Sequence, residues 1–338
     1  MKKKTKIFLI VILSVIILVA TSFIVANVYF DNLLEKTETP EVIENFEINE
    51  PEPEQKEKKV DEVVNFALFG VDSSSSSVGG EDNRSDAIKI VSLDYTTKEI
   101  KISSIERDVV AYFPGDYQDY GHYNWAYWFG GAKLAVQTLN YNLDLDIEKY
   151  VKINFLALVE IIDNLGGVSI DMTGTEASIV GVGSNSGVYV LNGDQALSYA
   201  RIRKIDSDFT RMERQNSVIQ AVVNKLSSCS ISELLTTINE LMPYISTNLS
   251  THEIKDYLTD LLFEGFKLGS IKQYKMPSGE YNDICPCPGM GGYLLRSYSG
   301  AVKELHKNIY NDDDYIPSNV VMENEKRTYD RFGPFTKE

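Results

Sequence analysis

Residues 63–72 read VVNFALFGVD. Eight of the first nine are apolar or glycine, rich in β-branched and aromatic types, and the run stops at an acid. That is the pattern of a strand buried inside a sheet. Immediately downstream, Ser73 to Ser77 are five serines and Gly79-Gly80 follow, so Asp72 ends its strand at a loop with only Val78 to pin it. Residues 87–93 and 100–105 are two more strands, joined by a turn at Asp94-Tyr95-Thr96-Thr97-Lys98. Helical patterns come next, at 132–140 and 155–165. Gly166-Gly167 close the second, before the strand 168–170. Asn192-Gly193 is a turn ahead of a helical DQALSYARIR, and a further helix spans about 209–226. Ser230-x-x-Glu233 and Ser250-x-x-Glu253 are capping boxes ahead of two more. Strands and helices alternate from 63 to 310 without a linker-like break, which predicts one α/β domain. Residues 311–338 are polar, with Asp312-Asp313-Asp314, and read as a loosely held tail.

Upstream of residue 63 the composition changes twice. Residues 1–6 carry four lysines, and residues 7–30 hold 20 apolar positions in 24 with no charge. As a helix that stretch spans about 36 Å, enough for the hydrocarbon core of a bilayer. We expect an uncleaved transmembrane anchor, with the lysines holding residues 1–6 in the cytoplasm and the rest outside the cell. Residues 31–62 carry twelve acids, four lysines and Pro40, Pro51 and Pro53. A self-repelling, extended tether is the expectation there.

The 338 residues sum to a net charge of −16, which argues against a nucleic-acid partner. Three cysteines cannot build a disulfide scaffold, and three histidines leave little for a histidine-rich metal site. Cys285-Pro286-Cys287 is not a zinc spacing and reads as a loop with two free or pairing thiols. Within this acidic chain arginine is scarce, nine in all, and six fall at Arg84, Arg107, Arg201, Arg203, Arg211 and Arg214. A guanidinium keeps its charge at any working pH and matches phosphate oxygens two at a time. On a helical wheel Arg211 and Gln215 fall inside the apolar arc of Val218, Ile219, Val222 and Leu226, with Glu213, Gln220 and Asn224 opposite. A core-facing arginine needs an anionic or polar partner. Asp208 is one candidate and a bound anion in a pocket is the other; with Arg201 and Arg203 nearby, the pocket is favoured. Asp72 ends one strand and Asp86 begins the next, so a β–loop–β unit can bring two carboxylates together to share a hard cation such as Mg²⁺ with substrate phosphates.

The ordered set FGVD (69–72), NRSD (83–86), SSIERD (103–108), HYNWAYWFGG (122–131), DNLGGVSID (163–171), LNGDQALSYARIRK (191–204) and DFTRMERQ (208–215) resembles the LytR–CpsA–Psr family of membrane-anchored cell-wall enzymes. The likeness covers about 63–225. It implies a central mixed β-sheet between α-helical layers. It also implies a phosphotransferase that moves an anionic glycopolymer, of teichoic acid or capsular polysaccharide type, from a polyprenyl-pyrophosphate carrier to a peptidoglycan acceptor. Carried over by motif, Asp72 and Asp86 bind Mg²⁺. Arg84, Arg107, Arg201, Arg203, Arg211 and Gln215 hold the pyrophosphate, and Asp72, Asp86 and Asp108 are the candidate general bases beside Arg107. Many members read S-I-P-R-D where this chain has Ser104-Ile105-Glu106-Arg107-Asp108; Glu106 is expected to point away from Arg107. The family's K-I-N is His122-Tyr123-Asn124 here, and an arginine common two positions after the first acid is Ser74. Two other activities fit the same residues: a non-catalytic or regulatory binder of lipid-linked precursors, and a hydrolase of polyprenyl-pyrophosphate glycans. The thirteen residues 117–129 include seven aromatics, which core packing explains for the most part, with a lipid tunnel or sugar stacking as the alternative.

Overall fold

A computed structural model describes residues 63–71, 84–202, 208–229, 244–267 and 270–335, with single positions between 233 and 240. The expected anchor, the tether, Asp72, the serine loop, Arg203 and the Ser230 capping box lie outside the described residues.

The sequence's three opening strands form as β1 (Val63–Val71), β2 (Ser85–Asp94) and β3 (Glu99–Ile105). They sit in a six-stranded sheet with β6 (Lys149–Asn154), β9 (Ile245–Thr247) and β10 (Lys272–Met276), in the order β10-β3-β2-β1-β6-β9. β1 runs antiparallel to β2 and parallel to β6, and β10 is parallel to β3, so the sheet is mixed. Residues of a strand alternate between faces. Ala67, Phe69, Ile88, Ile90 and Ile105 therefore share one face, where they form the main core. Helices α1 (Tyr123–Leu143), α7 (Tyr298–Tyr310) and α8 (Asn319–Phe332) cover that face with Leu134, Leu139, Val302, Leu305 and Val321.

The opposite face buries Phe66, Leu93 and Ile100 beneath α6 (Thr251–Phe263), with Tyr257 edge-on to Phe66. It also meets α5 (Asp208–Ser227), where Lys89 reaches Asn216. A further core joins α2 (Phe155–Asn164), α4 (Gly193–Ala200) and α5 to the hairpin of β7 (Val168–Met172) and β8 (Gly187–Leu191). Between β7 and β8 lies the short α3 (Gly174–Val180), capped by Thr173 and Glu176 in a reciprocal pair of hydrogen bonds. Two smaller hairpins complete the fold: β4 (Val110–Phe113) with β5 (Asp119–His122), and β11 (Ile284–Pro286) with β12 (Tyr293–Leu295).

Several details refine the sequence reading. Asn192 is an N-cap that pairs with Gln195, not the first residue of a free-standing turn. α1 starts earlier than its periodicity shows, because Gly130 and Gly131 break the pattern. Gly131 has φ +63° and ψ −158°, outside the helical region, and the helix kinks there. Gly166 and Gly167, with φ +71° and +92°, end α2 as expected. The largest correction concerns 311–338. Its described part, 311–335, is not a loose tail: it carries α8, and Ser318, Val321, Asn324 and Thr328 are buried. Asp144, in the left-handed conformation at the end of α1, accepts hydrogen bonds from Tyr315 Oη (2.9 Å), Ser318 N (2.7 Å) and Ser318 Oγ (2.6 Å). Cys285 and Cys287 are both free and buried.

Candidate functional site

The register of β2 against β3 sets the site. Ile88 lies opposite Ile105, and the strands are antiparallel. Two residues back along β2 is Asp86; two residues on from β3 is Arg107. Extrapolated pairing brings them together, and Arg107 Nη1 forms an ion pair with Asp86 Oδ1. Val71, the last residue before Asp72, pairs with Ser85 across a bulge, so β1 ends at the same edge. Arg107 Nε also donates to Asp108 Oδ2 (3.2 Å), and Asn124 Nδ2 donates to Asp108 Oδ1 (3.2 Å). Arg107 is thus clamped between two carboxylates at the end of the sheet. Arg107 is 12% exposed along its side chain, which leaves it reachable from solvent.

Above this edge runs the first part of α5. Arg211 is buried, as its position on the apolar arc required, and its Nη2 donates to the backbone oxygen of Asp86 (3.0 Å). Met212, Val218 and Val222 bury on the same side. A small cleft forms where the strand ends and the helix meet, lined by Asp86, Lys89, Glu106, Arg107, Arg211 and Gln215. The structure therefore gathers Asp86, Arg107, Asp108, Arg211 and Gln215. Arg84 is exposed at the start of β2, with its guanidinium 5.8 Å from the Trp125 ring and 5.3 Å from the Trp128 ring. Arg201 is exposed at the end of α4, apart from the cleft lining. Of the aromatics at 117–129, Tyr123 packs in the core, whereas Tyr117, Trp128 and Phe129 keep 44%, 40% and 48% of their surface.

Arg214 has a different task from Arg211, three residues before it. Its Nε donates to Glu176 Oε1 (2.7 Å) and its Nη1 to the Ile202 oxygen (3.0 Å), all buried. Burial raises the Glu176 carboxyl, but hydrogen bonds from Arg214 and Thr173 outweigh that and hold it below the usual carboxylate range. This arginine ties α5 to α3.

Three side chains of the site were not assigned from sequence. Glu106 follows the last residue of β3, is 1% exposed and lines the cleft, with Oε1 accepting from the Asp108 amide (3.4 Å). Asn124 follows from the quoted HYN motif only once Asp108 is placed beside it. Lys89 reads in sequence as the polar face of a strand; in the fold it is buried, because β2 is a central strand with helices on both sides. Burial, and then the charge of Arg211, push its ammonium down to about 7. His122 is held by the Gly291 oxygen (2.9 Å) and lies against Trp125, with ring centroids 4.1 Å apart.

Among the described residues no three His, Cys, Asp or Glu side chains converge on a point. Asp86 and Asp108 offer carboxylate oxygens on either side of Arg107. Mg²⁺ is held by one or two carboxylates together with phosphate oxygens and water, so this donor set suits a hard cation and not a thiolate- or imidazole-bound metal.

Fold and site together define a class: a helix-flanked mixed sheet with arginines and carboxylates gathered at one end. The chain belongs to the LytR_cpsA_psr family, whose model matches residues 29–285. It is 32% identical over 267 residues to the polyisoprenyl-teichoic acid–peptidoglycan teichoic acid transferase TagU of Enterococcus faecalis, covering 77% of this chain and 84% of that one. It is 29% identical over 262 residues to the regulatory protein MsrR of Staphylococcus aureus, covering 75% and 76%. The crystal structure of Bacillus subtilis TagV superposes with a TM-score of 0.58 at 25% identity, covering 76% of this chain and all of that one.

Proposed function

We propose that this protein is a cell-wall glycopolymer transferase. It moves an anionic glycan from a polyprenyl-pyrophosphate carrier onto a peptidoglycan hydroxyl. The observation that carries the reading is the Asp86–Arg107–Asp108 chain beneath the buried Arg211. Similarity to TagU, a transferase of that description, supports it.

In this reaction an acceptor oxygen attacks the phosphorus attached to the glycan. The phosphoanhydride bond breaks, and the polyprenyl monophosphate leaves with the bond's electron pair. Negative charge grows on the leaving phosphate, and fixed cations that already face it lower the barrier. Arg107 and Arg211 supply those cations, Gln215 donates an amide hydrogen bond, and Arg84, Arg201 and Arg203 are the further arginines assigned by motif to the pyrophosphate. The proton of the acceptor hydroxyl passes to one carboxylate of the set Asp72, Asp86 and Asp108. Mg²⁺, held by Asp86 with Asp72, would neutralise charge on the diphosphate. The lysine-flanked apolar span at 7–30 and the acidic tether at 31–62 support a membrane-anchored domain working outside the cell, next to both lipid carrier and peptidoglycan.

The test is to incubate the purified full chain, in detergent, with Mg²⁺, a polyprenyl-pyrophosphate glycan and peptidoglycan fragments. Mass spectrometry should find the glycan joined to peptidoglycan through a phosphodiester. Free glycan phosphate would replace the transferase with a hydrolase. Binding of the lipid without turnover would leave a binder, consistent with a regulatory relative such as MsrR.

A further inference from the structure

The proposed reaction uses the arginines of the cleft and leaves one cation in its wall without a role. Lys89 faces α5 from the middle of the sheet, opposite Ser104 on β3, and is 2% exposed. Its Nζ donates to Ser104 Oγ (2.7 Å) and to Asn216 Oδ1 (2.7 Å), and Ser104 Oγ in turn donates to Asn216 Oδ1 (3.0 Å). Both acceptors are neutral. A neutral amine has two N–H bonds, and this triangle satisfies two. An ammonium has a third N–H and a full charge, and a charge in such a place requires an anion. The same wall that holds Lys89 lines the cleft with Arg107, Arg211 and Gln215.

The charged groups around the amine explain its state. Asp86 lies on its own strand and is engaged by Arg107; Glu106 and Arg107 come from the end of β3; Arg211 and Glu213 come from α5, with Glu213 paired to Lys275 of β10 (3.2 Å). Burial and the Arg211 charge lower the amine to about 7, so near neutral pH it is poised between its neutral and charged forms. A diphosphate entering the cleft reverses the sign of the local field. We propose that Lys89 is a proton-coupled ligand of the anion site: it takes up one proton as a diphosphate seats against Arg107 and Arg211, and releases it when the phosphate leaves. The inference rests on the reading of the cleft as a diphosphate site. It gives the site an extra positive charge while the anion is bound and removes it afterwards, so the site does not hold its product as tightly as a permanent third arginine would.

The test uses inorganic pyrophosphate as the probe and the full chain in detergent. Binding is measured by calorimetry at pH 7.5 in two buffers of different ionisation heat, for the wild type and for Lys89→Met. The expected result is a substantial fraction of a proton more taken up by the wild type than by the variant. Between pH 7 and 8.5, wild-type affinity should fall about tenfold relative to the variant's. Equal proton counts and parallel pH profiles, with pyrophosphate still bound, would overturn the inference and leave the anion site standing. No binding to either protein would overturn both. Should Lys89→Met not fold, the wild-type count decides alone, after correction for the probe's own ionisation in free solution: no net uptake by the protein refutes the proposal.

Discussion

The two faces of the central sheet are built from the same strands and do opposite work. Under α1 and α7 the strands present Ala67, Phe69, Ile88, Ile90 and Ile105, a buried apolar layer. Under α5 the next residues along present Lys89 and Ser104, tied to Asn216. Apolar contacts are non-directional and set stability. Polar groups held by each other at 2.7–3.0 Å are directional and set where charge can sit. One face is thus mainly hydrocarbon packing, and the other combines an apolar core under α6 with a polar cluster under α5 that lines the cleft. The same contrast recurs along α5, where Arg214 is a structural tie and Arg211 a site group.

Four experiments probe that division. Arg214→Ala should produce the largest loss of stability, about 3–5 kcal/mol, since it strands the buried Glu176 carboxylate. Urea unfolding reads it, and transfer by the remaining folded protein should stay near wild type. Arg211→Ala should lower transfer by about 10²–10³-fold, the usual cost of one preorganised donor to developing charge, with a smaller change in urea midpoint. If the two variants exchange these phenotypes, the assignment along α5 is wrong. Lys89 contributes a pH slope. Its folded value is lowered from 10.5 to about 7, so between these limits the unfolded chain holds a proton that the folded chain lacks. Stability should therefore rise with pH through that window, by up to about 1.4 kcal/mol per unit. Below 7 both states are protonated and the term is constant. Denaturation at pH 7.5 and 9 should show the rise in wild type and its absence in Lys89→Met. Asn192→Ala, which removes the cap from α4 on the scaffold side, should cost only about 1 kcal/mol. Arg201, on the last turn of that helix, should then report through transfer whether a loosened α4 reaches the site.

How far the sequence revealed this depends on the range of the interaction. The strand 63–71, the capping box at Ser250 and the glycine stop after α2 are local, and they were legible. Arg211 and Gln215 were legible because a helix is periodic and the wrong residue on an apolar arc stands out. Arg214 read as one more arginine of the cluster, since its partner Glu176 lies 38 positions away. A lysine in a strand ordinarily faces water, so nothing local singles out Lys89. That expectation fails for a central strand covered on both sides, and only the sheet order shows β2 to be central. Glu106 was not assigned to the site because its burial in the cleft wall depends on α5 covering the strand ends.

The carboxylate of Asp144 bears on how this protein can be divided. It is 5% exposed, and its listeners come from far along the chain: the Tyr315 hydroxyl and both donors of Ser318. A chain cut after residue 285, where the family model ends, or after residue 310, would keep the buried anion and discard every one of those three donors. A buried carboxylate that loses three donors at once is less well satisfied, and the packing around it weakens. A gene fragment that stops before Ser318 should therefore be less stable than one that runs on through α8.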